Sequence, residues 1–518
     1  MISVPSAPRA HIPSLRVNVS AESSCLANES MGNTTSPMSP MSSNCNTNAA
    51  DNHSQSNKRP NRYYLVHSHS SRHVHLTDGI TPRELAVSII QAQYHIYHTD
   101  LSGYLAGGAM VQDALTTYAL GGSPRDLFQI YKKFRPDKER IPPTPTIHIT
   151  TRNWKDWLGH KSYYHDYLDF FDRELRQVEA KSALQQTTPQ QTAPGSWSMV
   201  PEYLAPLIPG LCAATGPLIH LGYGIEFGSR LAMAEGLAYA CISYQSATTC
   251  FIPTTSHPSW TPTDKNTRSS PKKTPSVSIL NMIRNDKRLD GMFDAGFQGK
   301  LNVVMSSRVS LLKSYLGMWA SQVGSVSDAL LDLSQTTSLL LFTGTNRFGD
   351  EQQLDKNLAN VLLATHSARF LVEVLPTEEQ KEQLLKAIWM SLVATYVVQG
   401  RPKMAASPTV ATMPAMSETA PQEDHRDDDI TNVEDSDDES SHSSAGYFDS
   451  EIPIRPSGRW RPLCQEAIHA EHQLVPKIVR ALWWAELEHG QCGDLFYDSA
   501  MRALSEDAAS DESSGPGI

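Results

Sequence analysis

GPLIHLGYGIEFGSRLAMAEGLAYA, residues 216–240, is the stretch on which the fold turns. It opens with an apolar run that holds one histidine, His220, among three glycines and a proline. It then passes into RLAMAEGLAYACI, whose apolar residues recur at the three- and four-residue spacing of a helix. The preceding run from Tyr203 to Ile225 is the most apolar part of the chain. It is broken by Pro206, Pro209, Gly210, Gly216 and Pro217, so it reads as buried core and not as a membrane span, which needs about 20 continuous helical residues. GYGIEFG (222–228) has the spacing GxGxxxG instead of the GxGxxG of a dinucleotide loop, and no clear strand precedes it. Its glycines are read as permitting close helix packing or a kink.

Helix starts are legible on both sides of this segment. Thr81-Pro82-Arg83-Glu84 is a capping box with proline at the first helical position. Ser123-Pro124-Arg125-Asp126 repeats the pattern with an aspartate, and Thr377 through Gln380 makes a third start. The helix that follows Thr377 finds its stop at Gly400, with Pro402 beyond. SYYHDYLDFFDRELRQV, NLANVLLATHSARFLVEVL and PKIVRALWWAELEHG carry the same periodicity. Strand-like alternation is scarce, with TIHITT (146–151) the best short candidate. The expected fold is mainly α: a single large helical domain over 62–504, with a long disordered N-terminal segment, 1–61, and a disordered tail, 505–518. Polar inserts are expected at 185–196 and 253–275, with an acidic disordered insert at 403–456.

The formal net charge of −11 is local, because twelve acidic residues and Arg426 between Glu423 and Glu451 account for all of it. The body is near neutral and has no basic stripe, which argues against nucleic acid as a partner. Seven cysteines without a CxxC argue against a disulfide framework or a thiolate zinc site and suit a reducing compartment, so a cytoplasmic location is expected. No apolar signal core opens the chain, and no membrane partner is expected. Walker, GxSxG and HExxH motifs are absent.

Seven segments in order nevertheless resemble the questin oxidase-like family: YALGGSPRDLFQIY (118–131), WLGHKSYYHDYLDFFDREL (157–175), the opening 216–240 segment, ILNMIRNDKRLDG (279–291), NVLLATHSARFLVEVLP (360–376), QGRP (399–402) and PKIVRALWWAE (476–486). The resemblance implies an oxidoreductase acting on aromatic polyketides such as anthraquinones. The implied reaction is an oxidative ring opening of Baeyer–Villiger type with NADPH, or a dioxygenase-type cleavage with non-heme Fe(II) held by histidines and a carboxylate. A small aromatic substrate and molecular oxygen are the implied partners.

The resemblance also marks a departure. The family carries a histidine-rich helix close to HNHxxHHLLxxYALG, where this chain reads GGAMVQDALTTYALG (107–121), and the histidine before the PLIHLG motif is replaced by Gly216. A catalytically degenerate family member that binds a ligand or serves as an accessory protein is therefore the alternative reading.

The residues that remain as catalytic candidates are His220, His366 and Lys477. Taken alone, His220 reads as a core imidazole bonded to a main-chain carbonyl, and Lys477 reads as a snorkelling side chain. His220 and His366 are candidate metal ligands, with His98 as a third, since His95 and His98 share one helix face. Tyr223, Trp483 and Trp484 are candidate rings for stacking on a planar polycycle, against the ordinary reading of core aromatics. Glu226 and Glu235 are expected to salt-bridge Arg230. No residue is assigned to cofactor binding.

Overall fold

The structure, a computed structural model, describes residues 79–96, 109–134, 147–185, 196–252, 260, 274–291, 297–345, 352–404 and 454–512. The expected disordered segment 1–61 and nearly all of the inserts 185–196, 253–275 and 403–456 lie outside the described residues. The fold is mainly α, as expected. In chain order the helices are α1 (Pro82–Ile96), α2 (Ala109–Leu120), α3 (Pro124–Phe134), α4 (Tyr164–Gln185), α5 (Val200–Leu207), α6 (Thr215–Glu226), α7 (Arg230–Ser243), α8 (Pro275–Arg284), α9 (Phe297–Ser307), α10 (Val309–Ala320), α11 (Val326–Leu340), α12 (Lys356–Val374), α13 (Glu378–Val398), α14 (Trp460–Ile468), α15 (Leu474–His489) and α16 (Leu495–Glu512). Two two-residue strands, Gly344–Thr345 and Gln352–Gln353, pair antiparallel.

The expected caps form. The Thr81 amide donates to Glu84 and the Glu84 amide donates to the Thr81 hydroxyl, at 2.9 and 3.2 Å. Ser123 and Asp126 make the same reciprocal pair, and the Gln380 amide donates to Thr377. At the end of α13, Gly400 has φ +83°; its amide reaches the Val397 carbonyl, and the Arg401 amide reaches that of Tyr396. That is a Schellman stop, and it closes the last turn where the glycine was expected to.

α6, α7, α12 and α13 make the centre. From Thr215 to Ile225 nearly every residue of α6 is buried, and α13 is buried all round from Glu382 to Val398 apart from Lys386. Helices apolar on every face have to be wrapped by others, and here the remaining helices do the wrapping. Two glycines set how closely the central helices approach. A Cβ on Gly222 would lie 2.3 Å from Cβ of Ser367 on α12, and one on Gly224 would lie 2.7 Å from the Met233 amide on α7. The packing reading of GYGIEFG therefore holds, and the motif is no phosphate cradle.

Two expectations are corrected. TIHITT forms no strand, because side chains of α4 take its main-chain groups: the Ile147 amide donates to Asp166, and Arg173 donates to the Ile149 carbonyl at 2.9 Å. The tail expected to be disordered from Ser505 is helical through Glu512. Its acids carry a structural load that polar composition does not reveal. Glu506 accepts from the Leu354 amide just before α12, and Asp507 accepts from the Glu471 and His472 amides just before α15, each at 2.8 Å. No helix among the described residues is long and apolar enough to cross a membrane.

Candidate functional site

α2, α6, α12 and α15 bring a set of buried polar side chains together. On α15, Lys477 and Arg480 are three residues apart and share a face. Lys477 forms an ion pair with Asp113 of α2. Arg480, only 1% exposed, forms one with Glu226 at the end of α6, and its guanidinium lies over the rings of Tyr223 and Phe227, 5.3 and 5.2 Å from their centres. The Tyr223 hydroxyl shares a 2.8 Å hydrogen bond with Thr116 of α2. The second carboxylate oxygen of Glu226 faces Nε2 of His366 on α12 at 3.8 Å, beyond hydrogen-bond range.

His366 closes the cluster. Its ring stands edge-on to Phe370 at 5.6 Å and 6.4 Å from Trp484, which is half-buried. Arg369 lies over Trp484 at 4.9 Å and pairs with Glu488 at 2.6 Å, and the buried ring of His489 is 3.8 Å from Glu488. Among the described residues, both ring nitrogens of His366, Oε2 of Glu226, and Nε and Nη1 of Arg480 have no hydrogen-bond partner. Buried polar atoms ordinarily have one, so several orphans at one locus mark a place where a polar guest or ordered water belongs. Burial, reinforced by Arg480 and Arg369, holds the His366 imidazole well below its ordinary pKa and therefore neutral. Burial likewise pushes the Glu226 carboxyl up, opposed by Arg480.

The residues proposed from the sequence thus fall in different places. His366 lies in the cluster. Lys477 sits at its edge, neutralised by Asp113. His220, fully buried, bonds Glu235 of α7 at 3.0 Å and not a main-chain carbonyl, while its Nδ1 has no partner among the described residues. Six residues along α6 place it about 120° around the helix from Glu226. Tyr223 and Trp484 flank the cluster; Trp483 is 5% exposed and packs against Trp484 at 5.4 Å. His98 lies outside the described residues.

The expected bridges from Glu226 and Glu235 to Arg230 do not form. Helix α6 ends at Glu226 and α7 starts at Arg230, so the four-residue spacing crosses a turn, and Arg230 pairs instead with Asp172 and Glu179 of α4. Arg480, Arg369, Asp113 and His489 do not stand out in the sequence as site residues. Arg480 carries a readable signal all the same, a cation inside the apolar run VPKIVRALWW, since a buried guanidinium requires a partner.

Among the described residues, no group of three or more His, Cys, Asp or Glu side chains could hold a metal ion. His366 and His220 each face a single carboxylate, so among the described residues they do not assemble a 2-His-1-carboxylate iron site. Among the described residues, a surface cleft beside Gly121, Arg455 and Arg461 and another beside Arg288 and Ser306 are not lined by His220, His366 or Lys477.

Comparison with known proteins bears on the same segments. The sequence model described as questin oxidase-like matches residues 109–482. The chain is 31% identical over 174 residues to the Baeyer-Villiger monooxygenase dmxR6 of Cryptosporiopsis sp. (strain 8999), covering 32% of this chain and 35% of that protein. It is 30% identical over 151 residues to the Baeyer-Villiger oxidase AgnL3 of Paecilomyces divaricatus, covering 28% and 30%. It is 26% identical over 214 residues to the questin oxidase of Aspergillus fumigatus, covering 40% and 44%. The chain spans less than half the length of each of these relatives.

Proposed function

The chain belongs to the questin oxidase-like family, and from that membership we propose that it is an oxidoreductase acting on a phenolic aromatic polyketide of the anthraquinone class. The reaction is oxidative opening of a ring: in a dioxygenase-type cleavage both atoms of O2 enter the product, and in a Baeyer–Villiger-type insertion one atom enters while the other leaves as water, with NADPH giving the two electrons. The observation that carries this reading is the set of orphaned polar atoms on His366, Glu226 and Arg480, enclosed by the rings of Tyr223, Phe227 and Trp484.

In this reading the flat polycycle enters from the half-buried Trp484–Glu488 side. The neutral His366 takes the proton of a ring phenol, and an unpartnered N–H of Arg480, on Nε or on Nη1, donates to the resulting phenolate oxygen. Glu226 keeps the guanidinium in place, and the rings exclude water, which strengthens the charge contact. Lys477 is committed to Asp113 and supports α2 against α15. Iron or NADPH would supply oxygen activation or electrons when bound; the described residues supply binding, proton transfer and charge stabilisation.

The test is oxygen uptake by purified protein with a panel of hydroxyanthraquinones, with and without NADPH and with and without added Fe(II). Substrate-dependent uptake that collapses by about 100-fold or more in His366→Ala supports the reading. Anthraquinone binding without uptake under any condition favours the second reading, a binding protein. The specific observation behind that reading is the Lys477–Asp113 pair, standing where the resemblance places a histidine-rich helix.

A further inference from the structure

We propose that the cleft between the end of α2 and the start of α14 binds a phosphate-bearing small molecule. The cleft is open to solvent on one side and has room for about 450 Å³. Its polar lining is Arg455, Ser457, Arg461 and Gln465, with the main chain of Gly121 and Gly458, and none of the described lining residues carries a carboxylate.

The two arginines are what distinguish it. Arg455 is fixed: its Nη1 donates to the Tyr118 carbonyl at 2.7 Å, and its guanidinium lies 5.5 Å from the centre of the Tyr118 ring. Gly121 makes this possible, because its φ of +99° turns the chain and a Cβ there would lie 3.3 Å from that same Nη1. One nitrogen is thus spent on holding the side chain, which leaves the rest of the fork for a guest. The Arg461 guanidinium makes no hydrogen bond or ion pair among the described residues. The arginine between them, Arg459, is by contrast consumed by Glu486 and Asp494.

Two exposed guanidiniums line the same cleft, and a doubly charged anion seated there can meet both. Arginine forks match phosphate oxygens two at a time, which makes phosphate a better fit than a halide or a single carboxylate. The cleft is also connected to the buried cluster. Arg455 covers Tyr118, Tyr118 touches Phe227 at 6.4 Å, and Phe227 lies under Arg480. Binding here nevertheless does not depend on the catalytic reading of that cluster.

Isothermal titration of the full chain with inorganic pyrophosphate and, separately, with NADPH tests it at low ionic strength. Binding of either is the expected result. Tighter binding of NADPH assigns the site to a nucleotide, and equal binding assigns it to the phosphate group alone. Arg461→Gln is expected to weaken binding about tenfold, the loss of one charge-assisted contact. Gln465→Glu, which adds an acid to the wall, is expected to weaken it as well. Both positions are exposed, and an unchanged melting temperature shows the fold intact. Failure of both probes to bind, or binding indifferent to both variants, overturns the proposal. So does binding that appears only after Asp427, Asp428 and Asp429 are changed to asparagine, which would give the cleft to the chain's own acidic run.

Discussion

The Arg480–Glu226 pair offers the sharpest test of how the cluster is held together. The two side chains are 1% and 10% exposed, so each charge depends on the other for its solvation. Arg480→Met leaves a buried carboxylate with no cation, and Glu226→Gln leaves a buried guanidinium with no anion. Breaking such a pair from one side costs about 3–5 kcal/mol. Arg480→Met also forfeits the contacts with Tyr223 and Phe227, worth about 2 kcal/mol for a desolvated cation over aromatic rings. A domain is stable by only about 5–15 kcal/mol, so either single change is a large fraction of the whole. The double variant removes both charges and is expected to recover at least about 2 kcal/mol relative to the sum of the singles. Urea unfolding followed by both tryptophan fluorescence and far-UV circular dichroism measures all four proteins and shows whether the transitions coincide. Coupling within about 0.5 kcal/mol of zero would refute the reasoning. A near-silent Glu226→Gln would refute it differently, showing that burial keeps Glu226 protonated and that Arg480 is paired with a neutral acid.

Three further outcomes follow from the same geometry. Burial lowers the His489 pKa from 6.5 to about 4, so between those values the unfolded chain binds a proton that the native chain does not, and stability must fall as pH drops through that window, by on the order of 3 kcal/mol; the loss between pH 7 and pH 4.5 should be smaller in His489→Gln, and equal losses would count against it. His366, held low by its own burial, adds to the same acid sensitivity. Gly222→Ala forces a methyl into Ser367 and should cost about 1–3 kcal/mol, partly recovered by Ser367→Gly, as read from thermal unfolding. Asp507→Asn weakens the cap on two amides ahead of α15 and should cost about 1 kcal/mol, with removal of residues 505–518 costing more; a melting temperature unmoved by either would show the tail to be dispensable.

The helices were legible because their signals are local. Thr81 with Glu84, Ser123 with Asp126 and Gly400 each act within one turn of their own position, and each does what the residue type dictates. The central segment was legible as core because its glycines and apolar residues leave no face for water. The partners of charged side chains were not legible. Glu226 meets Arg480 across 254 positions of chain, while the nearby Arg230, which spacing favoured, lies beyond a turn. Periodicity reports which face of a helix is apolar and is silent on which helix will cover it. The same limit separates His220 from His366: both sit on buried helices, yet one faces α7 and the other faces the end of α6. The acidic helix at the C-terminal end was missed because composition alone reads Ser, Asp and Ala as unfoldable, whereas Glu506 and Asp507 are held by amides far away in sequence.

That last arrangement ties the two helices behind the cluster to a distant part of the chain. The amides ahead of α12, which carries His366, and ahead of α15, which carries Arg480, obtain their acceptors from α16, which follows both of them in the chain. Those donors find their acceptors only when α16 has docked, so both stretches are completed by a segment that lies after them in the sequence. Any change that keeps α16 from docking is then expected to lower the yield of folded protein.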